Sequence, residues 1–546
     1  MTTTRFRFDF AAVLLAATLA CAPRTPTTAP KTAPSPKTVP APTPVPSIPF
    51  MLKAPVPEAN PALPPIPLLN GPLAIRVVYP DPNHLIQSKD SNFIFGSVGN
   101  GDAALSINGI AAPVWPNGSF MAWLPNPPAT APRYDIVATT GTETVSLTVP
   151  IKLPPPTTVP PPPPDTVQAL SPSLYASLIG PPAYASDTDR VITGYALSGG
   201  IQRWFLMPNT IVKVTESKGS NYYVELDTMQ TIRIDKADIK LLDSTYVAPA
   251  RKASAFKIRN TDEWTDIVIP ITDKPAHYVD EGPSGMTLIL YGASGPTRRQ
   301  LPVKAPASSY IKTVTATTDG SQMKYNIDLK GPVYGYLTLW QEGTVTFRVR
   351  RPPKVDPASP LLGRIITIDP GHPPIGATGP TGLWEPVPTL AVGFKVQELL
   401  QAKGVKVIMT RTSPDPVDLY ARAAMSRREN AEAFVSIHLN AVPDGQNPFR
   451  AQGTATYHYY LHSGALADSV QRTAVANLGL KNNGVKRENF AVIRGTWMPS
   501  ILVEGAFIIM PDQEAAMQTP EYQTKYAQGI VDGLENYFRA LALQKR

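Results

Sequence analysis

Arg364-Ile365-Ile366-Thr367-Ile368-Asp369-Pro370-Gly371-His372 is a short apolar run closed by an acid, a Pro-Gly turn and an imidazole. Its β-branched residues and the turn that bounds it predict a buried strand over 364–368. Outward from it the same shape recurs at 406–409, at 434–437 followed by His438, and at 500–503 followed by Glu504. Between these runs, 389–402, 419–430, 465–478 and 521–541 carry helical periodicity. Strands alternating with helices predict an α/β domain over 362–546. His372, His438 and Glu504 then fall at strand ends, the edge where open α/β sheets form their ligand crevice.

Two imidazoles and a carboxylate at one sheet edge can bind Zn²⁺ and leave a position for water, as hydrolytic zinc sites require. Glu385, just before the first predicted helix, is the available third ligand. Strand-end histidines also serve as hydrogen-bonded structural residues. Glu504 follows three apolar residues, and a buried carboxylate is costly unless a partner or a function keeps it there. A salt bridge to Arg494 is the structural alternative.

The residues carry a more specific signal. Ile366 to His372, then Gly376-Ala377, Gly379, Gly382 and Glu385 four residues before Thr389-Leu390, resemble the zinc-dependent N-acetylmuramoyl-L-alanine amidases. So do Thr410-Arg411, Leu419 with Arg422, Phe434-Val435-Ser436-Ile437-His438-Leu439-Asn440-Ala441, Gly484-Val485-Lys486, and Met498-Pro499-Ser500-Ile501-Leu502-Val503-Glu504. The order and spacing hold over about a third of the chain, from Arg364 to Leu541. The resemblance implies that His372, Glu385 and His438 are the zinc ligands and Glu504 the catalytic carboxylate. It also implies peptidoglycan as substrate, cut between N-acetylmuramic acid and the L-alanine of the stem peptide. Pro373 and Pro374 stand where the family has two glycines, which fixes φ and removes N–H donors beside the metal. After Glu504 the chain reads Gly505-Ala506-Phe507-Ile508 in place of the family's Gly-Phe and Ser-Asn or Thr-Asn pairs. Two other readings compete: a wall-binding envelope protein with a degenerate amidase domain, and a zinc carboxypeptidase acting on stem peptides.

Some family members cover the zinc with a helix inserted after the second histidine's neighbouring strand. Here the strand predicted over 454–461 passes almost directly into the helix near Ala465, so no required activator is expected. His458 and His462 are four apart, but 454–460 alternates as a strand does, and both are read as surface residues.

Upstream, proline dominates: the chain has 63 prolines in 546 residues, against a usual share of about 5 %. Residues 22–72 and 154–183 read as Pro-rich linkers unable to bury a core. Between them, alternating runs and Asn-Gly turns predict a β-sandwich over 73–153 that resembles bacterial immunoglobulin-type modules. Residues 184–249 suit an SH3-like β-domain, and 250–354 resembles the AMIN-like β-domain that precedes envelope amidases. The expected architecture is therefore multidomain, with β-rich modules before a C-terminal α/β zinc amidase domain.

The one cysteine, Cys21, excludes an internal disulfide framework and a cysteine zinc site. Arg5 and Arg7 before the apolar stretch 10–20 form a secretory signal over 1–21, too short to span a bilayer. Leu19-Ala20-Cys21 resembles a lipobox, so the expected location is the periplasmic side of the cell envelope, with a lipid anchor on Cys21. Without lipidation the protein is secreted. The formal net charge of +8 is spread along the chain, and no segment reads as a basic nucleic-acid arm.

Overall fold

The computed structural model describes residues 53–141, 143–154, 166–180, 191–296 and 302–544. The signal segment with Cys21 lies outside them. The C-terminal unit is a six-stranded sheet in the order Lys406–Met409, Ile365–Pro370, Ala433–Asn440, Ser500–Phe507, Thr454–His458, Asn482–Arg487. The first four strands are parallel, and Thr454–His458 runs antiparallel to Ser500–Phe507. The three inner parallel strands, Ile365–Pro370, Ala433–Asn440 and Ser500–Phe507, are buried along most of their length, which is why they read as apolar runs.

Three helices pack together against this sheet: Pro386–Gln401, Gly464–Leu478 and Pro520–Leu543. The closest crossing depends on Gly529 and Gly533. A Cβ on either would lie 2.8 Å from Cα of Ala474 or 2.5 Å from Cα of Val470, so only glycine lets the two backbones approach this far. Among the described residues no helix is long and apolar enough to cross a membrane.

The β-rich part is a series of antiparallel sheets. Two of them, of three and four strands between Arg76 and Pro150, enclose one core that includes Ile94, Phe120, Tyr134 and Ile136. A seven-stranded sheet spans Gln168 to Leu241. Two further sheets, of four and five strands, share a core that includes Ile267, Leu288, Tyr325 and Phe347.

Three expectations need correction. Gln168–Leu178, placed by composition in the linker 154–183, is an 11-residue strand between Ile211–Lys218 and Ile239–Leu241. Pro172 argues against a central strand, yet pairing jumps from Leu174 opposite Val214 to Ala169 opposite Glu216, and the proline sits in that irregularity. Second, from residue 53 the first linker is not a free tether. Val56, Leu63 and Ile66 pack on the core of the C-terminal unit, and Asn60 Nδ2 donates to Gly479 O at 3.1 Å. Apolar residues set between prolines supply that contact. Third, the boundary at 249/250 is bridged: Ala276 and Tyr291 belong to the core built by 176–239, and Trp204 Nε1 donates to Tyr291 Oη at 3.0 Å.

The β-units grip opposite edges of the six-stranded sheet. At the edge where strands begin, Arg350 donates to the carbonyls of Ala431 and Asn430, and Tyr336 exchanges hydrogen bonds with Thr496. At the edge where strands end, Asp444 accepts from Tyr79 Oη, from Gln87 N at 2.8 Å and from Asn92 Nδ2 at 3.1 Å, and lies 3.3 Å from His84 Nε2.

Candidate active site

The second edge is where the chemistry-bearing residues meet. His372 leaves the strand Ile365–Pro370 through Gly371, and His438 lies within Ala433–Asn440. A Cβ on Gly371 would lie 2.5 Å from the His438 imidazole, so the close packing of the two histidines requires glycine there. The rings meet edge to face with centroids 4.7 Å apart. Glu385 stands at the start of the helix Pro386–Gln401 and reaches back between them. Its Oε2 lies 3.1 Å from His372 Nε2 and its Oε1 3.2 Å from His438 Nδ1.

The Glu385 carboxylate is locked. Ala377 N and Leu439 N donate to its two oxygens, each at 3.0 Å. Burial alone would push this carboxyl up, but the neighbouring imidazoles outweigh burial and hold it below the usual carboxylate range. Burial also lowers the pKa of His438, which keeps the ring neutral and its lone pair available. One donor atom each from His372, Glu385 and His438 lies within 4.8 Å of the others. Two imidazole nitrogens and a carboxylate oxygen in one buried group are a donor set for a metal cation.

Glu504 is opposite His438 in the parallel register of adjacent strands. Its Oε2 is buried with no hydrogen-bond partner. Burial first, then the Glu385 charge, push its carboxyl well above the ordinary range. The alternative role does not materialise: Arg494 donates to Asn489 Oδ1 at 2.7 Å and lies before the start of the strand that carries Glu504. A buried carboxyl left unpartnered beside a group of metal donors is what the fit of a cation and a reacting water predicts.

A second layer fixes the loop that carries His372. Asp369, 1 % exposed, accepts from Arg422 Nη1 at 2.7 Å, Ser436 Oγ at 2.6 Å and Thr410 Oγ1 at 2.5 Å. Arg422 Nη2 also donates to the His372 carbonyl at 3.0 Å, and Arg411 Nη2 donates to the Gly371 carbonyl at 3.0 Å. His372 itself adopts φ +61°, and the two bonds that follow it, His372-Pro373 and Pro373-Pro374, are cis. The two prolines are therefore accommodated by a turn whose carbonyls, not its N–H groups, are held by arginines.

Glu514 was not singled out from the sequence. It is fully buried and accepts from Thr381 N at 2.9 Å, Thr381 Oγ1 at 2.9 Å and Leu383 N at 3.1 Å, so it shapes the turn leading to Glu385. Burial pushes its carboxyl up to about 7. Among the histidines outside this group, His458 is half-buried and its Nδ1 donates to Tyr460 O at 2.9 Å. His462, expected at the surface, is buried against Glu281, with Nδ1 3.0 Å from Oε1. The carboxylate arrives from a β-unit far upstream, which the local strand pattern does not reveal. Neither histidine joins the metal-donor group.

The profile of the Amidase_3 family, N-acetylmuramoyl-L-alanine amidase, matches residues 366–536. The N-acetylmuramoyl-L-alanine amidase LytC of Bacillus subtilis (strain 168) is 35% identical over 187 residues, 33% of this chain and 37% of LytC. The germination-specific N-acetylmuramoyl-L-alanine amidase of the same organism is 32% identical over 198 residues, 33% of this chain and 81% of that protein. Among solved structures, the amidase AmiC2 of Nostoc punctiforme is 36% identical, with 32% of this chain and 96% of that chain covered and a TM-score of 0.30. Through its C-terminal third, this chain belongs to the N-acetylmuramoyl-L-alanine amidase family.

Proposed function

We propose that the protein is a zinc-dependent peptidoglycan hydrolase that cuts the amide between N-acetylmuramic acid and the L-alanine of the stem peptide. The observation that carries this reading is the group His372, Glu385 and His438 with the unpartnered Glu504 oxygen beside it, inside a domain of the amidase family. The three donors would hold Zn²⁺, which supplies Lewis acidity, polarising the scissile carbonyl and acidifying water near neutral pH.

Glu504 takes the proton of the attacking water and returns it to the leaving amine nitrogen. A raised proton affinity suits a group that gains a proton in one step and gives it up in the next. Glu385 faces both imidazoles, one with each oxygen, so the three donor groups converge on one point. The imidazoles keep 17% and 15% of their side-chain surface exposed, enough for a substrate to reach them without an activator first removing a cover. The direct passage from Thr454–His458 through the turn Leu461–Ser463 into the helix Gly464–Leu478 supports that reading.

A digest of purified peptidoglycan tests the reaction. Release of stem peptides beginning with L-alanine is the expected product. Loss of a terminal residue would make the protein a carboxypeptidase, and an unchanged digest would make it a binder. The signal and lipobox further support export to the cell envelope with Cys21 lipid-anchored. A Cys21→Ala protein that stayed in the detergent fraction would overturn the anchor.

A further inference from the structure

One cavity of the described residues lies away from the catalytic edge. It holds about 460 Å³ and lies at the opposite edge of the sheet, where the seven-stranded sheet, the block around Tyr278 and Tyr336, and the catalytic unit converge. That volume is within the range of roughly 300–1,000 Å³ typical of small-molecule sites. Its walls are aromatic: Phe205 and Tyr459 meet edge to face at 5.7 Å, with Tyr278 and Trp497 beside them.

The cavity's charge is the unusual part. Arg203, Arg487 and Arg494 all line it, and none of the three forms an ion pair among the described residues. Their anchors are neutral. Arg203 donates to Gly200 O and Gln202 O, Arg487 Nε to Tyr459 O at 2.8 Å, and Arg494 Nε to Asn489 Oδ1. Their planes stand over rings, Arg494 Cζ 5.4 Å from the Phe205 centroid and Arg487 Cζ 5.7 Å from that of Tyr459. Arg203 Nε is buried with no acceptor. The two carboxylates on the lining do not balance this charge: Glu281 is committed to His462 and Tyr336, and Asp280 is exposed and pairs with none of the arginines.

Like charges gathered in a partly desolvated pocket repel one another, and burial adds to the cost of keeping Arg203 charged. An anion placed among them would relieve both. Aromatic faces beside planar guanidiniums add a surface on which a sugar ring can lie, while the forks take phosphate or carboxylate. We propose that this cavity is a second binding site, for a small saccharide carrying a phosphate or a carboxylate. It is separate from the catalytic group and does not rest on the amidase reading. Because three units build it, its occupant would bind only their assembled state and stabilise it by mass action.

The test is calorimetric titration of the full chain with glucose 6-phosphate, N-acetylmuramic acid and neutral glucose, together with the melting temperature in each. Binding of the two acids with a raised melting temperature, and none with glucose, is expected. R203Q/R494Q should weaken that binding by about tenfold or more, with turnover of peptidoglycan in the absence of ligand retained. Failure of both acids to bind, equal binding by wild type and variant, or equal binding of glucose would overturn the proposal. Inorganic phosphate binding as tightly as glucose 6-phosphate would also overturn the saccharide assignment. Should the double variant misfold by circular dichroism, wild-type titrations at low and high KCl decide. Affinity that falls with salt supports guanidinium capture, and salt-independent affinity refutes it.

Discussion

Glu504 and the three metal donors differ in what each substitution removes. On the proposed reading His372, Glu385 and His438 would hold the metal, so loss of any one should take metal and activity together. Glu504→Gln keeps the shape and lacks the proton acceptor. General-base assistance is typically worth about 10² to 10⁴ in rate, so turnover should fall by that order while bound zinc is unchanged. Metal analysis of the purified variant beside the peptidoglycan digest checks this; zinc lost with activity would make Glu504 a ligand instead. Local pattern placed these four residues at strand ends and a helix start, the family resemblance supplied their expected roles, and the structure brings them together. Glu514 and Asp444 were not legible in the sequence. Glu514 lies in the first turn of a short helix, where an acid ordinarily faces water, and what buries it is a turn more than 130 residues upstream. Asp444 is held by a β-unit some 350 residues away. Partners that remote leave no periodic trace near the residue itself.

At the scale of elements, the strand Ile365–Pro370 and the helix Leu419–Arg428 are joined through Asp369 and Arg422, both buried. The carboxyl is held below its usual range because Arg422 and the hydroxyls of Ser436 and Thr410 outweigh its burial. Removing the guanidinium leaves a buried charge without its partner, a change that costs about 3–5 kcal/mol. Arg422→Met should therefore lose stability of that order in urea unfolding. It should also slow the reaction, since the same guanidinium holds the His372 carbonyl. Unaltered unfolding with full activity would mean that Thr410 and Ser436 suffice for Asp369. The elements of the catalytic unit were largely readable, with strand and helix ends shifted by a few residues and Asn482–Arg487 missed. That last strand is short, polar and at the sheet edge, so it has no apolar alternation to betray it. In the β-rich part, Pro172 disguised a strand as linker for the reason that proline usually excludes one.

For the whole molecule, the junction between β-units and catalytic unit makes stability depend on pH. His277 is buried where these units converge, and burial lowers its pKa to about 4. Its neutral form is the one the folded state accepts. Between about pH 6.5 and 4 the unfolded chain binds a proton that the folded chain refuses, so stability contributed by neutral His277 is present above 6.5 and falls as pH drops toward 4. The shift from 6.5 corresponds to about 3 kcal/mol. Denaturation midpoints across that range should fall in the wild type and fall less in His277→Asn; parallel curves would count against the assignment. The grip of Tyr79, His84, Gln87 and Asn92 on Asp444 has a further consequence, in the time domain. Its partners are separated by some 350 to 365 residues of chain. During synthesis the first two-sheet unit can fold as soon as it emerges, but the face it turns toward the catalytic edge has nothing to meet until the polypeptide has been extended past residue 444. Closing so long a loop adds little thermodynamic cost, since that cost grows only logarithmically with length, yet contacts of such separation form late. Docking at the edge that carries His372 and His438 thus depends on chain beyond residue 444, which follows the two-sheet unit in order of synthesis.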